Sequence, residues 1–479
     1  MNLKKILLNS IWFGVVPKLG TLIHVLMLPI LTPFLTKFDY GIWGIVSSYS
    51  DLIMAVATLG LQVHLTNSYF ELRDKFRMVW GRIAFLLLIL SQIFALVLFV
   101  TLLCVLKQLP PHLRVIASLV GICPIAFSSM QVLATHFFQL CARPRPLVLG
   151  NLASGLLGLS ALFVCVYVFR LGYFGFIANA AVTGIAGCVI FAVLICRREK
   201  IRFITDIKRR RIAEWMKISL PMVPHTIGFI FLASSSRIIM DLLRIPIEDI
   251  GLYANAYSIG GYITIVTTAL LISMVPQIQE SYRAGRFAEY RRLFYMSQFI
   301  VCIAITLFSI WLPELYRILI RNRDFWQCSE LAIFFCSAKM MYPLYTLLAA
   351  PATIEKRTPQ LLWLIFLPGA INVLLCFAVL PFFGYRGAAY CYLIAFWSQI
   401  MVPFIAGFHR RNLEQWFGSR YKLLLLLATC GILVFSNVLI SRMSCFFKIP
   451  VTLFCIFLFV VIYFKYTHQT FHRSGCRIA

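Results

Sequence analysis

The stretch Phe38-Asp39-Tyr40-Gly41-Ile42-Trp43 lies between two long apolar runs, and a relative of it, Asp249-Ile250-Gly251-Leu252-Tyr253, returns 210 residues later. The apolar runs around it set the fold class. Of 479 residues, 61% are apolar or aromatic and 13% charged, and runs of 18 or more apolar residues recur from end to end. Each such run can cross a bilayer of roughly 30 Å. In lipid every backbone polar group must be bonded internally, so the runs are helices. The expected fold is an all-α polytopic membrane protein of about fourteen transmembrane helices, the first at 9–35 and the last at 449–466. Phe38–Trp43 is then the tight turn between helices 1 and 2. Asp39 belongs at the amino end of helix 2, beside exposed N–H groups and the positive dipole end. Gly41 permits close backbone approach, and Tyr40 and Trp43 are expected at the headgroup interface.

The return of the motif points to a duplication. Gly172-Tyr173-Phe174-Gly175 precedes helix 6 and Gly384-Tyr385-Arg386-Gly387 precedes helix 12, 212 residues on. Ser68-Tyr69 and Ser281-Tyr282 end helices 2 and 8, and Pro17 and Pro224 lie in helices 1 and 7. These anchors imply two six-helix parallel repeats, 1–205 and 206–415, followed by two additional helices and a tail in 416–479. An even-helix repeat keeps its orientation, so the axis relating the halves runs along the membrane normal. Transporters that rock two bundles around a central site are built this way.

The net charge of +27 does not call for nucleic acid. With the amino terminus in the cytoplasm, roughly 30 of the 44 Lys and Arg fall in or beside inner loops and roughly 11 beside outer ones. That asymmetry predicts both termini inside and accounts for most of the charge through topology and anionic lipid headgroups. The run after Lys4-Lys5 has no small-residue cleavage site and reads as a retained first helix. The fifteen cysteines are scattered singly, without Cys-x-x-Cys or zinc spacing, so no metal or cofactor is expected. No loop is large enough for a catalytic ectodomain, and no catalytic residues are expected.

Three segments resemble the polysaccharide transporters of the O-antigen flippase type: Leu35–Trp43, Leu220-Pro221-Met222-Val223-Pro224-His225 continuing to Ser234-Ser235-Ser236-Arg237, and Gly369-Ala370-Ile371-Asn372 with Pro381–Ala389. The resemblance covers helices 1–12 and places the chain in the multidrug/oligosaccharidyl-lipid/polysaccharide exporter superfamily. It implies a flippase of the bacterial inner membrane, serving O-antigen lipopolysaccharide or a related surface polysaccharide. The substrate would be an undecaprenyl-diphosphate-linked oligosaccharide, moved from the cytoplasmic to the periplasmic leaflet. A polysaccharide polymerase and a chain-length regulator would be partners. Where the family commonly has an acid before the helix 7 arginine, this chain has Ser236, which leaves Asp241 as the local partner for Arg237.

Ionisable groups inside a membrane cost several kcal/mol and are functional candidates by default. Lys18, Arg237 and Lys339 are the three cations placed within helices, and together they suggest a cationic cavity for the anionic head of such a lipid. Asp51 and Asp241 are the candidate ion-pairing or coupling acids, and His24 and His225 candidate relays. Pro17, Pro29, Pro221 and Pro224 concentrate in helices 1 and 7, which are therefore the expected bending gates. The competing readings are a lipid II flippase, a drug exporter of the same superfamily, which should prefer anionic cavity residues, and a membrane glycosyltransferase or polymerase, which should carry a catalytic acid or a large outer loop.

Overall fold

The computed structural model describes residues 19–61, 64–65, 68–69, 76–141, 143–207, 209–220, 223–355, 358–405 and 420–475. Among them all regular structure is helical. The principal helices in chain order are α1 (Leu19–Leu31), α2 (Lys37–Ala57), α3 (Phe76–Val105), α4 (Pro111–Leu140), α5 (Arg145–Val168) and α6 (Tyr173–Arg198). The second half holds α7 (Val223–Ala233 and Ser235–Leu242), α8 (Ile247–Leu271 and Met274–Arg283), α9 (Phe287–Ile310) and α10 (Arg323–Pro351). A continuous run, Thr358–Ile405, turns sharply at Gly384 and supplies α11 before that residue and α12 after it. The last two are α13 (Arg420–Ser441) and α14 (Cys445–Gly475).

Eight helices among the described residues are long and apolar enough to cross a membrane, and ten if each of the bent pairs α7 and α8 is one span. That is fewer than the fourteen expected. Leu19–Phe34 and Cys445–Phe459 are apolar but short, α2 carries Asp39, Asp51 and several serines, and α11 with α12 is counted as one. Large apolar side chains such as Leu26, Phe382 and Phe446 stand out from the helices, as a lipid-facing surface requires.

Phe38–Trp43 is not the tight turn expected between helices: it forms the first turns of α2, as Asp249–Tyr253 forms those of α8, because Thr36 and Pro246 already begin the helices, and these two related helix starts meet each other. A Cβ on Gly41 would collide with the Ile247 carbonyl oxygen, and one on Gly251 with that of Lys37 and would also lie 2.9 Å from the Gly41 nitrogen. One turn further, a Cβ on Gly44 would lie 3.0 Å from the Ala254 Cβ. α2 and α8 therefore cross backbone to backbone at their amino ends, a contact only glycine allows. Tyr40 and Trp43 depart from expectation. Tyr40 is buried against Phe176 and Phe325, and Trp43 stacks on Phe176 at 5.9 Å. The crossing turns them toward the molecular interior instead of the headgroups.

The core divides unevenly. At the end marked by the α2–α8 crossing, one apolar cluster draws on both halves, from Leu28, Tyr40 and Ile177 to Ile250, Tyr316 and Tyr392. At the opposite end there are two clusters. One holds only residues of the first half and the following linker, such as Trp80, Phe138 and Trp215. The other holds only residues of the second half and of α13, such as Ile278, Tyr290 and Leu427. The halves are packed together at one end and separate at the other, and cavities open between them.

Candidate functional site: a cationic cavity between the halves

α7 is broken at Ser234, and its two pieces meet at 66°. A break leaves helix-end carbonyls without partners. Asn372 of α11, fully buried, supplies one: its Nδ2 donates to the Phe231 carbonyl at 3.0 Å and to Ser235 Oγ at 3.0 Å. α11 comes this close because Gly228 and Gly369 face each other's helices, and a Cβ on Gly369 would lie 2.6 Å from the Gly228 oxygen. The break sets Arg237 against α2. Its Nη1 donates to Ser47 Oγ at 3.2 Å and its Nη2 to Ser234 Oγ at 3.2 Å, with the guanidinium 5.0 Å from the Tyr257 ring centre. Ser234 Oγ in turn donates to Asp51 Oδ2 at 2.9 Å. Arg237 is buried, and its Nε has no hydrogen-bond partner.

Lys339 sits at a second break. A single 3-10 turn, Lys339–Met341, interrupts α10. The Lys339 Nζ donates to Tyr392 Oη at 2.8 Å and lies 4.5 Å from the Phe396 ring centre. Arg237, Lys339, Asp51 and His24 line one cavity of about 420 Å³, closed further by Tyr257, Tyr262 and Tyr392. His24 Nδ1 is 3.1 Å from Tyr262 Oη and so joins α1 to α8. Two fixed cations face one acid across this space.

Four of the sequence candidates thus converge, and the other described ones do not line this cavity. Lys18, Pro17 and Pro221 lie outside the described residues. Asp241 forms no ion pair with Arg237: it accepts from Tyr49 Oη at 2.9 Å, while the α7 break carries the guanidinium toward Ser47. Ser236 faces α11, with Oγ 3.4 Å from Cys376 Sγ, so an acid at that position would not meet Arg237. Asp51, linked through Ser234, takes the acidic role. His225 packs edge-on to Phe229 away from the cavity. Pro224 begins a helical piece, where proline is tolerated, and the α7 bend falls at Ser234. Pro29 stands in the last turn of α1 before a 3-10 turn. The 45° bend of α8 lies just before Pro276, which cannot donate to the carbonyl four residues back. Ser47 and Tyr392 were not singled out from sequence, and Ser234 and Asn372 stood only within the family motifs, with no role given. The spacing of Ser47 and Asp51, four apart on one helical face, was the available signal.

Eight to ten apolar helices among the described residues, long enough to span a bilayer and with charged side chains held at or near helix breaks between two halves, mark a polytopic membrane protein. The chain belongs to the polysaccharide biosynthesis protein family, which matches residues 6–282. Its fold is that of transporters of the MOP superfamily. An inward-facing conformation of a multidrug resistance MATE family transporter of the MOP superfamily superimposes with a TM-score of 0.65 at 14% identity, over 85% of this chain and 97% of that one. An outward-facing conformation of such a transporter gives 0.56 at 14%, over 85% and 95%. A MOP superfamily transporter from Pyrococcus furiosus, described by the reverse polarity of its binding pocket, gives 0.56 at 13%, over 86% and 96%. No curated protein matches the chain.

Proposed function

We propose that the protein is a flippase for an undecaprenyl-diphosphate-linked oligosaccharide of O-antigen or a related surface polysaccharide, working by alternating access. The observation that carries this reading is the cavity in which Arg237 and Lys339 face a single acid, Asp51. A lipid diphosphate brings at least two negative charges to the membrane interior. Fixed cations offset the cost of that transfer, and the ammonium of Lys339 and the forked guanidinium of Arg237 suit phosphate oxygens in different ways. Asp51 and Ser234 hold Arg237 in place when no substrate is bound. A cationic drug would be repelled here, which separates this reading from drug export.

The shared core at one end and split cores at the other correspond to a state open on a single side. The higher TM-score against the inward-facing relative supports assigning the open side to the cytoplasm. So does the basic linker beside the split end, where Arg209–Ser219 rests on the first-half cluster through Trp215. On this reading the protein lies in the inner membrane with both termini cytoplasmic, and the α2–α8 crossing is the closed periplasmic gate. The two repeats are 1–205 and 206–415. The bends at Ser234 and before Pro276 are the hinges of α7 and α8.

The test is surface polysaccharide in a deletion strain, normalised to membrane-protein level. Lys339→Ala, which removes a charged hydrogen bond worth about 1.5–3 kcal/mol, cuts flipping by roughly tenfold or more. Lys339→Arg keeps part of the activity, and Lys339→Glu is worse than Ala. Equal activity of the Glu, Ala and wild-type forms would refute a cationic substrate site at Lys339.

A further inference from the structure

Beside the cationic cavity lies a second chamber of about 370 Å³, within the size range of small-ligand sites. The two share Thr21, His24, Ser258 and Tyr262 as their partition. The linings differ in kind. Among the described residues no Asp, Glu, Lys or Arg lines the second chamber; besides His24 in the partition, its polar groups are amides and hydroxyls, chiefly Asn151, Asn179, Thr183 and Asn255. Gln131 donates to Asn151 Oδ1 at 2.9 Å, which fixes the amide and leaves its N–H groups for another acceptor. The Asn255 Nδ2 is buried without a partner. The lining also holds an aromatic group: Trp43 stacked on Phe176, with Tyr40 against the same ring. Gly20 and Gly155 complete the wall, and a Cβ on either would meet nothing within 4 Å. Their missing side chains leave space that packing does not require.

Uncharged donors and acceptors facing flat apolar rings match a sugar ring, which has hydroxyls around its edge and C–H groups on its faces. They do not match a diphosphate, which the adjoining chamber serves. We propose that the chamber lined by Asn151, Asn179 and Trp43 binds the carbohydrate of the substrate while the Arg237–Lys339 chamber holds its diphosphate. The proposal rests on the flippase reading above. The His24–Tyr262 pair is then the partition at which diphosphate and first sugar meet.

The experiment measures affinity of the full-length protein in nanodiscs, by thermophoresis, for two probes. One is bare undecaprenyl diphosphate; the other is the lipid-linked oligosaccharide extracted from a strain lacking the protein. The wild type is expected to bind the sugar-bearing lipid about tenfold more tightly than the bare one. Gly155→Leu, which fills the chamber, and the double variant Asn151→Ala/Asn179→Ala are each expected to bring that ratio to about one, with the bare-lipid Kd within about twofold of wild type. Unchanged bare-lipid binding reports that each variant is folded. A wild-type ratio near one, or a tenfold ratio that survives in both variants, overturns the chamber proposal and leaves the flippase reading standing. A wild type that binds neither lipid overturns both.

Discussion

The two related turns of this protein have the same backbone and different fastenings. Gly172 and Gly384, 212 residues apart, begin α6 and α12 with nearly the same positive φ, +53° and +55°. Gly41 and Gly251 meet each other across the α2–α8 crossing. In the first half, Asp39 closes a capping box with Thr36, and its Oδ2 accepts from the Thr36 N–H at 2.8 Å. Its Oδ1 accepts from the Tyr173 N–H at 2.8 Å, which ties the amino end of α2 to that of α6. In the second half, Asp249 makes no such bond, α8 is capped at Pro246 without a side-chain hydrogen bond, and the space beside Gly384 is empty. Both halves keep a positive-φ glycine at the start of the corresponding helix. The carboxylate clamp exists on one side only: it ties α2 to α6, whereas α8 and α12 meet through apolar packing. The sharp bends of α7 and α8 also lie in the second half.

The largest effect tests what the turns share. Gly251→Ala and Gly41→Ala drive a methyl group into a carbonyl of the facing helix. Each is expected to cost about 3 kcal/mol or more, read as loss of monodisperse protein and a lowered Tm in detergent. Wild-type stability of both variants would show that the helices do not cross as described. The next effect separates the halves. Gly172→Ala incurs both the positive-φ cost and a collision with Asp39 Oδ1, for about 3 kcal/mol, whereas Gly384→Ala incurs only the first, about 1–2 kcal/mol. The gap should narrow when Gly172→Ala is made in an Asp39→Ala background, because the collision partner is gone. Asp39→Ala alone removes a cap and a charged hydrogen bond, about 2 kcal/mol. The smallest effect is Asp249→Ala, within about 0.5 kcal/mol. Equal Tm losses for the two aspartates would erase the distinction between the turns.

Much of this was legible from residue types. A glycine at the same place in two related turns announced close approach, and the crossing supplies it. Intramembrane cations announced a site because burying them without purpose is expensive, and Arg237 and Lys339 do share a cavity. Their partners were hidden by distance along the chain. Arg237 looked to Asp241, one turn away, but is linked to Asp51 through Ser234. Lys339 had no local acid and is held by Tyr392 of α12. Tyr40 and Trp43 were misplaced because interface aromatics and buried cavity aromatics are the same residue types. The break of α7 was misplaced because prolines at a helix start look like hinges, while at the Ser234 break the Phe231 carbonyl is taken up by Asn372 of α11 and by the Ser235 hydroxyl. Pro276, one turn beyond the real bend in α8, carried the signal that the prolines of α7 did not.

In the proposed transport cycle the end closed by the α2–α8 crossing must open. Lys37 on α2 and Asp324 of the second half form an ion pair across that end at 3.6 Å. The measurement replaces both by cysteine, in a background without native cysteines, and joins them with a short bifunctional methanethiosulfonate. Transfer of lipid-linked oligosaccharide across proteoliposomes is then assayed before and after reduction. The account predicts that the cross-linked protein still binds the lipid but does not transfer it, and that reduction restores transfer. Undiminished transfer by fully cross-linked protein would contradict it.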